Sequence, residues 1–587
     1  MSGQLTADAG KLSSMLMTNR RFFKILVILF ITACSRPPAA LIPELPSPSG
    51  RGVGGEGEEG VRVSSTIQPA SPTAAPPLTP PMPIETDPPS LPSPTPSPWR
   101  VGAAQGVPAE LVFSARQVAN QQPTLFTWAN EGPADVTLTL AAGAKVAEWV
   151  YAVAVPFATV TDDTTLAEVI TAWQTGASPL GIRVVDRSTL ALFSQLWGPP
   201  AAIEVADKTE LAARLWSARP AWTLLPFHQL TPDLKVLRLD GLTPLEPTLD
   251  LAAYPLVATI SAVGEPAAVS ALLAAWPGPT TNRDTRLLTR VAMTGVTALS
   301  RATAYQMELQ SVTTPGAAVA PLLTAADIAH VSNEVSFAPN CPYPSPIGDP
   351  IFCSRDPYFQ LLTSLGVDVV ELTGNHVNDW GAANLLHSLD LYDAAGMLHF
   401  GGGRDLADAE RPALFVHNGN RIAFLGCNPV GPYAAWATAA SPGARPCDYD
   451  AFFNQIAALR AEGYLVMATL QYWEIYDYAP TLQQQADFRA VAAAGATAVS
   501  GSQGHHAQGF DFYNGAFIHY GLGNLFFDQM DILGTRQSFM DSYVIYDGRV
   551  LSVDLFIGLI ENYCCPRLLT AAERADLLQI LFRASGW

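Results

Sequence analysis

The chain has 587 residues, 49% of them hydrophobic and 14% charged, a composition that builds more than one hydrophobic core and excludes wholesale disorder. Its 33 Lys and Arg against 52 Asp and Glu leave a formal charge of −19, which argues against a nucleic-acid surface. A single strongly apolar stretch, near the start, excludes a polytopic membrane protein.

That stretch begins with the basic cluster Arg20, Arg21 and Lys24 and runs from Ile25 to Cys34. About ten apolar residues are too few to cross a bilayer, which takes about 20, but they have the length of a signal-peptide core. The ending Ile31-Thr32-Ala33-Cys34 resembles the bacterial lipobox. The resemblance implies cleavage before Cys34, a diacylglycerol on its thiol, and an exported protein anchored by lipid on the extracytoplasmic face of the cell membrane. Residues 1–34 are therefore expected as a lipoprotein signal peptide. Residues 35–103 are expected as a disordered Pro-, Ser- and Gly-rich linker, because such a composition cannot bury enough apolar surface to offset the entropy of ordering.

Beyond the linker, apolar strands alternate with amphipathic helices, the pattern of an α/β protein. Residues 104–285 are expected as a smaller α/β domain, with a strand over 150–156 and a helix over 166–173 capped by Thr164 or Thr165. This region resembles one lobe of a periplasmic solute-binding protein, which implies a small anion at a strand end and helix N-terminus. Residues 286–562 repeat the alternation: strands over 287–294, 367–373, 464–471 and 496–501, helices over 320–329, 382–395, 452–461 and 483–494. Asn418-Gly419 and Asn514-Gly515 signal two hairpins. Residues 563–587 are expected as a helical tail. With Cys34 set aside, six cysteines remain, and in an exported protein Cys341 with Cys353 and Cys427 with Cys447 are the pairs favoured by local spacing; reduced, buried cysteines are the alternative.

Polar residues of metal-ligand or acid–base type fall at the ends of the strands of 286–562: Ser332-Asn333-Glu334, Gly374-Asn375-His376, Gln471-Tyr472-Trp473-Glu474 and Gly501-Ser502-Gln503-Gly504-His505-His506. Strand ends are where an α/β protein assembles a site. Taken with Asp379-Trp380-Gly381 and Gly521-Leu522-Gly523-Asn524-Leu525-Phe526, this ordered series resembles the CapA-type poly-γ-glutamate capsule biosynthesis proteins. The resemblance implies a layered α/β/β/α metallophosphatase-like domain.

It further implies a divalent metal (Mn, Fe, Zn or Mg) held by Glu334, Asn375, His505 and Gln471, with His376, Asp379 and Glu474 as catalytic groups. The series also departs from the family. Thr294-Gly295-Val296-Thr297 stands where the family has an aspartate, Gln471 where it has a histidine, and Ser502 and Gln503 where it has two more. Glu334 is the one clear anion among the retained ligands, so one metal rather than two is expected. The implied function is an envelope lipoprotein acting on an anionic polymer or small molecule in an envelope biosynthesis complex, with a hydrolase or transferase centre that is partly degenerate. The alternative is a non-catalytic, surface-tethered ligand-binding protein.

Overall fold

The computed structural model describes residues 97–130, 132–348 and 352–587. The expected signal peptide, Cys34 and nearly all of the linker lie outside the described residues. The folded part begins at Trp99, earlier than the expected boundary, because Trp99–Ala103 is a strand with Val101 fully buried. All described residues fall in one compact unit.

The first region is a mixed nine-stranded sheet with helices against it. Its centre is the long strand Ala144–Pro156, which pairs antiparallel with Val257–Gly264 on one side and Ala221–Pro226 on the other. The helix expected over 166–173 is Leu166–Thr175, entered through Thr165 in a reciprocal capping box with Glu168. Glu168 N–H donates to Thr165 Oγ1 at 3.2 Å, and the Glu168 carboxylate accepts from Thr165 N–H at 2.9 Å. The next helix, Arg187–Trp197, is capped by Asp186, which accepts from Ser188 N–H at 2.8 Å. The protein's own side chains therefore cap these helix N-termini.

The second region has two sheets. One runs Leu398–Phe400, Val369–Glu371, Ile328–Asn333, Leu288–Thr294, Gln537–Tyr546, Arg549–Glu561 and Cys565–Leu568 in spatial order. The other runs Ala413–His417, Asn420–Cys427, Leu465–Gln471, Ala498–Ser502, Ala516–His519 and Phe510–Tyr513. Val291, Met293 and Tyr543 of the first pack in one core with Ile422, Phe424, Met467 and Phe517 of the second, so the sheets lie face to face. The outer faces carry helices, Ala382–Ala395 on one side and Tyr449–Ala461 with Leu482–Ala493 on the other. This is the α/β/β/α layering expected. Both hairpins form, with Asn418 and Asn514 at φ 49° and 52° ahead of their glycines, as a type I′ turn requires.

Two expectations need correction. The helix over 320–329 stops at Leu323, because Ile328 and Ala329 pair with Val291 and Ala292 in the parallel ladder and Arg290 N–H donates to the Asp327 carboxylate at 2.8 Å. The tail is part of the core: Cys565–Leu568 closes the sheet, and the helix Ala571–Ala584 buries Leu577, Leu578 and Leu581 beneath the sheet pair. Cys341–Cys353 and Cys427–Cys447 are disulfides with Cα separations of 5.8 and 5.1 Å, and the adjacent Cys564 and Cys565 form a third.

Candidate functional site

The parallel strands of both sheets end on one side, and that is where the predicted residues meet. Glu334 follows Ile328–Asn333, Asn375 follows Val369–Glu371, Gln471 ends Leu465–Gln471 and Ser502 ends Ala498–Ser502. Gly374 lets the loop descend on Glu334: a Cβ there would lie 2.8 Å from Glu334 Cα. Gln471 sits at the middle. Its Nε2 lies 3.4 Å from Glu334 Oε1, donates to Asn375 Oδ1 at 3.2 Å and is hydrogen-bonded to Gln503 Oε1, while its Oε1 lies 3.1 Å from Ser502 Oγ. Gln503 Nε2 passes the chain on to Glu474 Oε1 at 3.2 Å.

His505 is buried beside this network. Asn524 donates through Nδ2 to the carbonyls of His505 and Thr535, so its Oδ1 accepts from His505 Nδ1 at 2.7 Å and the His505 Nε2 turns toward Glu474 Oε1, 3.9 Å away. His376 stands apart with Asp379, Nδ1 to Oδ2 2.6 Å, each about one-fifth exposed. Burial opposes the imidazolium, but the Asp379 hydrogen bond and the charges of Glu334 and Asp379 outweigh it, holding His376 above its ordinary 6.5. That pair's stabilisation is therefore complete below pH 6.5 and fades as pH rises through the raised value. Asp379→Asn should bring the His376 titration back toward 6.5 or lower, as followed by NMR of the imidazole; an unchanged titration would mean that Asp379 does not set it.

Beneath these groups lies a layer that sequence reasoning missed. Glu371, buried inside its strand, accepts from Ser502 Oγ at 2.8 Å, is hydrogen-bonded by Thr373 Oγ1 and has His330 Nε2 at 3.3 Å. His330 Nδ1 accepts from Thr294 N–H, which places the ring proton on Nε2, toward Glu371. A titratable residue inside each of two buried strands, His330 in Ile328–Asn333 and Glu371 in Val369–Glu371, was the available signal. Arg301, also missed, pairs with Asp528 and lies over the rings of Phe352 and Phe527, which flank His376 and His505.

The donor set does not fit a divalent cation. Among the described residues no group of three or more His, Cys, Asp and Glu side chains is placed to hold one. Two carboxylates touch the cluster of amides, Glu334 at Gln471 and Glu474 at Gln503, and the space among Glu334 Oε1, Asn375 Oδ1 and Gln503 Oε1 is filled by the Gln471 amide hydrogens. Thr294–Thr297 brings no carboxylate, and Gly295 has no room for one: a Cβ would meet the Gly523 carbonyl oxygen at 2.0 Å. Glu334, Asn375 and Gln471 lie in direct contact, and His505 stands beside them. The residues do converge, but as an amide-centred hydrogen-bond network. Glu334 Oε2 is buried and without a hydrogen-bond partner.

Two face-packed sheets flanked by helices, with a polar cluster at their strand ends, define a protein of the layered α/β/β/α class. Residues 290–529 match the family described as bacterial capsule synthesis protein PGA_cap, and this part of the chain is similar to CapA-type proteins. The capsule biosynthesis protein CapA of Bacillus anthracis is 29% identical over 194 residues, 32% of this chain and 47% of that protein. The PGA biosynthesis protein CapA of Bacillus subtilis (strain 168) is 29% identical over 171 residues, 29% of this chain and 45% of that protein. The chain thus spans less than half the length of either relative. Among solved structures, a 5'-nucleotidase precursor from Thermus thermophilus aligns at 12% identity and TM-score 0.30 over 50% of this chain and 58% of its own. An ABC-type phosphate transport receptor from Vibrio cholerae aligns at 13% identity and TM-score 0.25 over 29% of this chain and 87% of its own. At such scores these two likenesses add nothing to the strand order itself.

Proposed function

We propose that this chain is an exported lipoprotein that takes part in making or handling a poly-γ-glutamate capsule or a related anionic polymer, and that its strand-end site binds without a metal. The observation that carries the metal-free part is the Gln471 amide, a hydrogen-bond donor set among oxygens where a cation would have to sit. An amide supplies donors but neither the net positive charge nor the Lewis acidity of a metal. The buried, unpartnered Glu334 Oε2 is an acceptor left for a ligand hydroxyl or amine, since such an atom costs about 1–3 kcal/mol while unpaired. The family match supports the link to capsule synthesis, and the sequence ending in Cys34 supports the anchor.

Metal analysis of the full-length protein after dialysis against Mn²⁺ or Zn²⁺, combined with assays on phosphate mono- and diesters, tests the site. Less than stoichiometric metal and no turnover above a His376→Ala control are expected. One tightly held metal per chain, or turnover lost with His376, would overturn the metal-free reading. A second reading, a metal-independent hydrolase or transferase, is favoured by the His376–Asp379 pair, whose raised imidazole suits a proton donor. Turnover that survives exhaustive chelation and is lost in His376→Ala would select it. For the anchor, Cys34→Ser should move the protein from the membrane fraction to the soluble fraction of its host. Retention in the membrane would remove the lipid from the proposal.

A further inference from the structure

Away from the strand-end site, a cavity of ≈ 250 Å³ opens between the two regions, walled by Phe157, Lys235 and Arg238 on one side and by Asp554, Arg574 and Phe582 on the other. Its lining carries three cations, Lys235, Arg238 and Arg574, and three carboxylates, Asp162, Asp163 and Asp554, so its net charge is zero. Part of that charge is committed internally. Asp162 accepts from Arg574 Nε at 2.6 Å and pairs with Lys235 Nζ at 2.5 Å. Lys235 also donates to the carbonyls of Thr159 and Val160, and Arg574 Nη1 to the carbonyl of Leu555. These contacts hold the Asp162 carboxyl down at about 2 although burial pushes it up.

Of the three charges that remain, Asp163 is exposed, and the other two are of opposite sign. Among the described residues neither the Arg238 guanidinium nor the Asp554 carboxylate makes an ion pair or hydrogen bond with another protein group, yet both line the same cavity. Burial pushes the Asp554 carboxyl up, and the positive charges of Arg290 and Arg238 only partly offset that. Unpaired charges of both signs that are partly buried in one cavity are costly unless a ligand brings the complementary pair. We propose that this cavity binds a neutral, apolar α-amino acid as its zwitterion, with Arg238 taking the carboxylate, Asp554 the ammonium group, and the wall formed by Phe157, Ile557, Leu578 and Phe582 the side chain. The volume is below the ~300–1,000 Å³ of drug-sized sites, which suits a ligand of this size. Zero net charge disfavours an acidic amino acid or a polyanion, so this ligand class differs from the anionic polymer proposed for the strand-end site.

Calorimetric titration of the full-length protein with L-leucine, L-glutamate, leucinamide and 4-methylpentanoate tests this inference. Leucine should bind, and each analogue lacking one charge should bind at least about ten-fold more weakly. Glutamate should be weaker than leucine. Arg238→Ala and Asp554→Asn should each lose leucine binding, with circular dichroism confirming that the variants are folded. No binding by leucine at millimolar concentration, equal binding of leucine and its two analogues, or tighter binding of glutamate would each overturn the proposal. Because the ligand series is run on the unaltered chain, the result does not depend on variants that fail to fold. Nor does it depend on the strand-end site, whose test reads metal content and turnover.

Discussion

Glu371→Ala should destabilise the protein by about 3–5 kcal/mol at pH 7, because each buried donor that it leaves unpaired costs about 1–3 kcal/mol. Glu371 and His330 are almost fully buried, and the carboxylate also collects hydrogen bonds from Ser502 and Thr373. Removing it leaves the Ser502 and Thr373 hydroxyls without their common acceptor, Glu371 Oε1, and the buried His330 Nε2 without the Oε2 that faces it. Glu371→Gln keeps the shape and some of the hydrogen bonding, so a smaller loss of about 1–3 kcal/mol is expected.

The pH dependence separates charge from shape. Burial alone would raise the Glu371 carboxyl, but the hydrogen bond and charge of His330, with Thr373 and Ser502, outweigh it and hold it below the ordinary 4.5. Folding thus lowers this pKa, so the contribution is complete above pH 4.5 and is lost as pH falls through the lowered value. Urea unfolding at a series of pH values should therefore show wild type and Glu371→Gln furthest apart near neutrality and converging in acid. A constant gap would mean that the carboxylate's charge contributes nothing.

Phe157→Ala should cost about 3–5 kcal/mol, the range for deleting a large aromatic from a core. Phe157 follows the central strand of the first region, yet its ring packs edge-on against Phe510 and Phe512 at 5.6 and 5.4 Å between centroids, and lies 5.3 Å from Phe517 in the second. It also reaches Phe582 and Trp587 at the C-terminal helix. Since Val544, Tyr546 and Leu551 of the second region in turn complete the first region's core, the variant should lower the midpoint of both regions together. Fluorescence and far-UV circular dichroism melts that stay coincident would bear this out. A variant that loses stability in only one region would show that the two cores unfold separately.

The elements were legible in the sequence wherever period and punctuation agreed. Asn-Gly dipeptides fixed both hairpins, and Thr165 with Glu168 fixed a helix start. Over 320–329 they disagreed: the apolar run has helical spacing, but the strand pairing of Ile328 and Ala329 with Val291 and Ala292 is a long-range contact that local pattern does not carry. Glu334, Asn375, Gln471 and His505 were legible as a group because each closes or follows a strand. What the group does was not. Whether Gln471 replaces a ligand or blocks the place of the ion depends on which way its amide points, and that direction is set by Gln503 and Ser502 from the neighbouring strand end. Glu371 and Arg301 were missed for a related reason: their partners, His330, Ser502 and Asp528, are remote in sequence.

The tight approach of Gly295 to the Gly523 carbonyl also bears on how this site can change over generations. Gln471 and Ser502 each already carry a side chain at a strand end. Position 295 is different: any side chain there must first displace the 521–524 segment, whose Asn524 orients His505. Regaining a carboxylate ligand would therefore require correlated changes in two strands at once, with His505 misplaced in the intermediates. Such a step acts as a ratchet, favouring further specialisation of the amide-centred site over a return to metal chemistry.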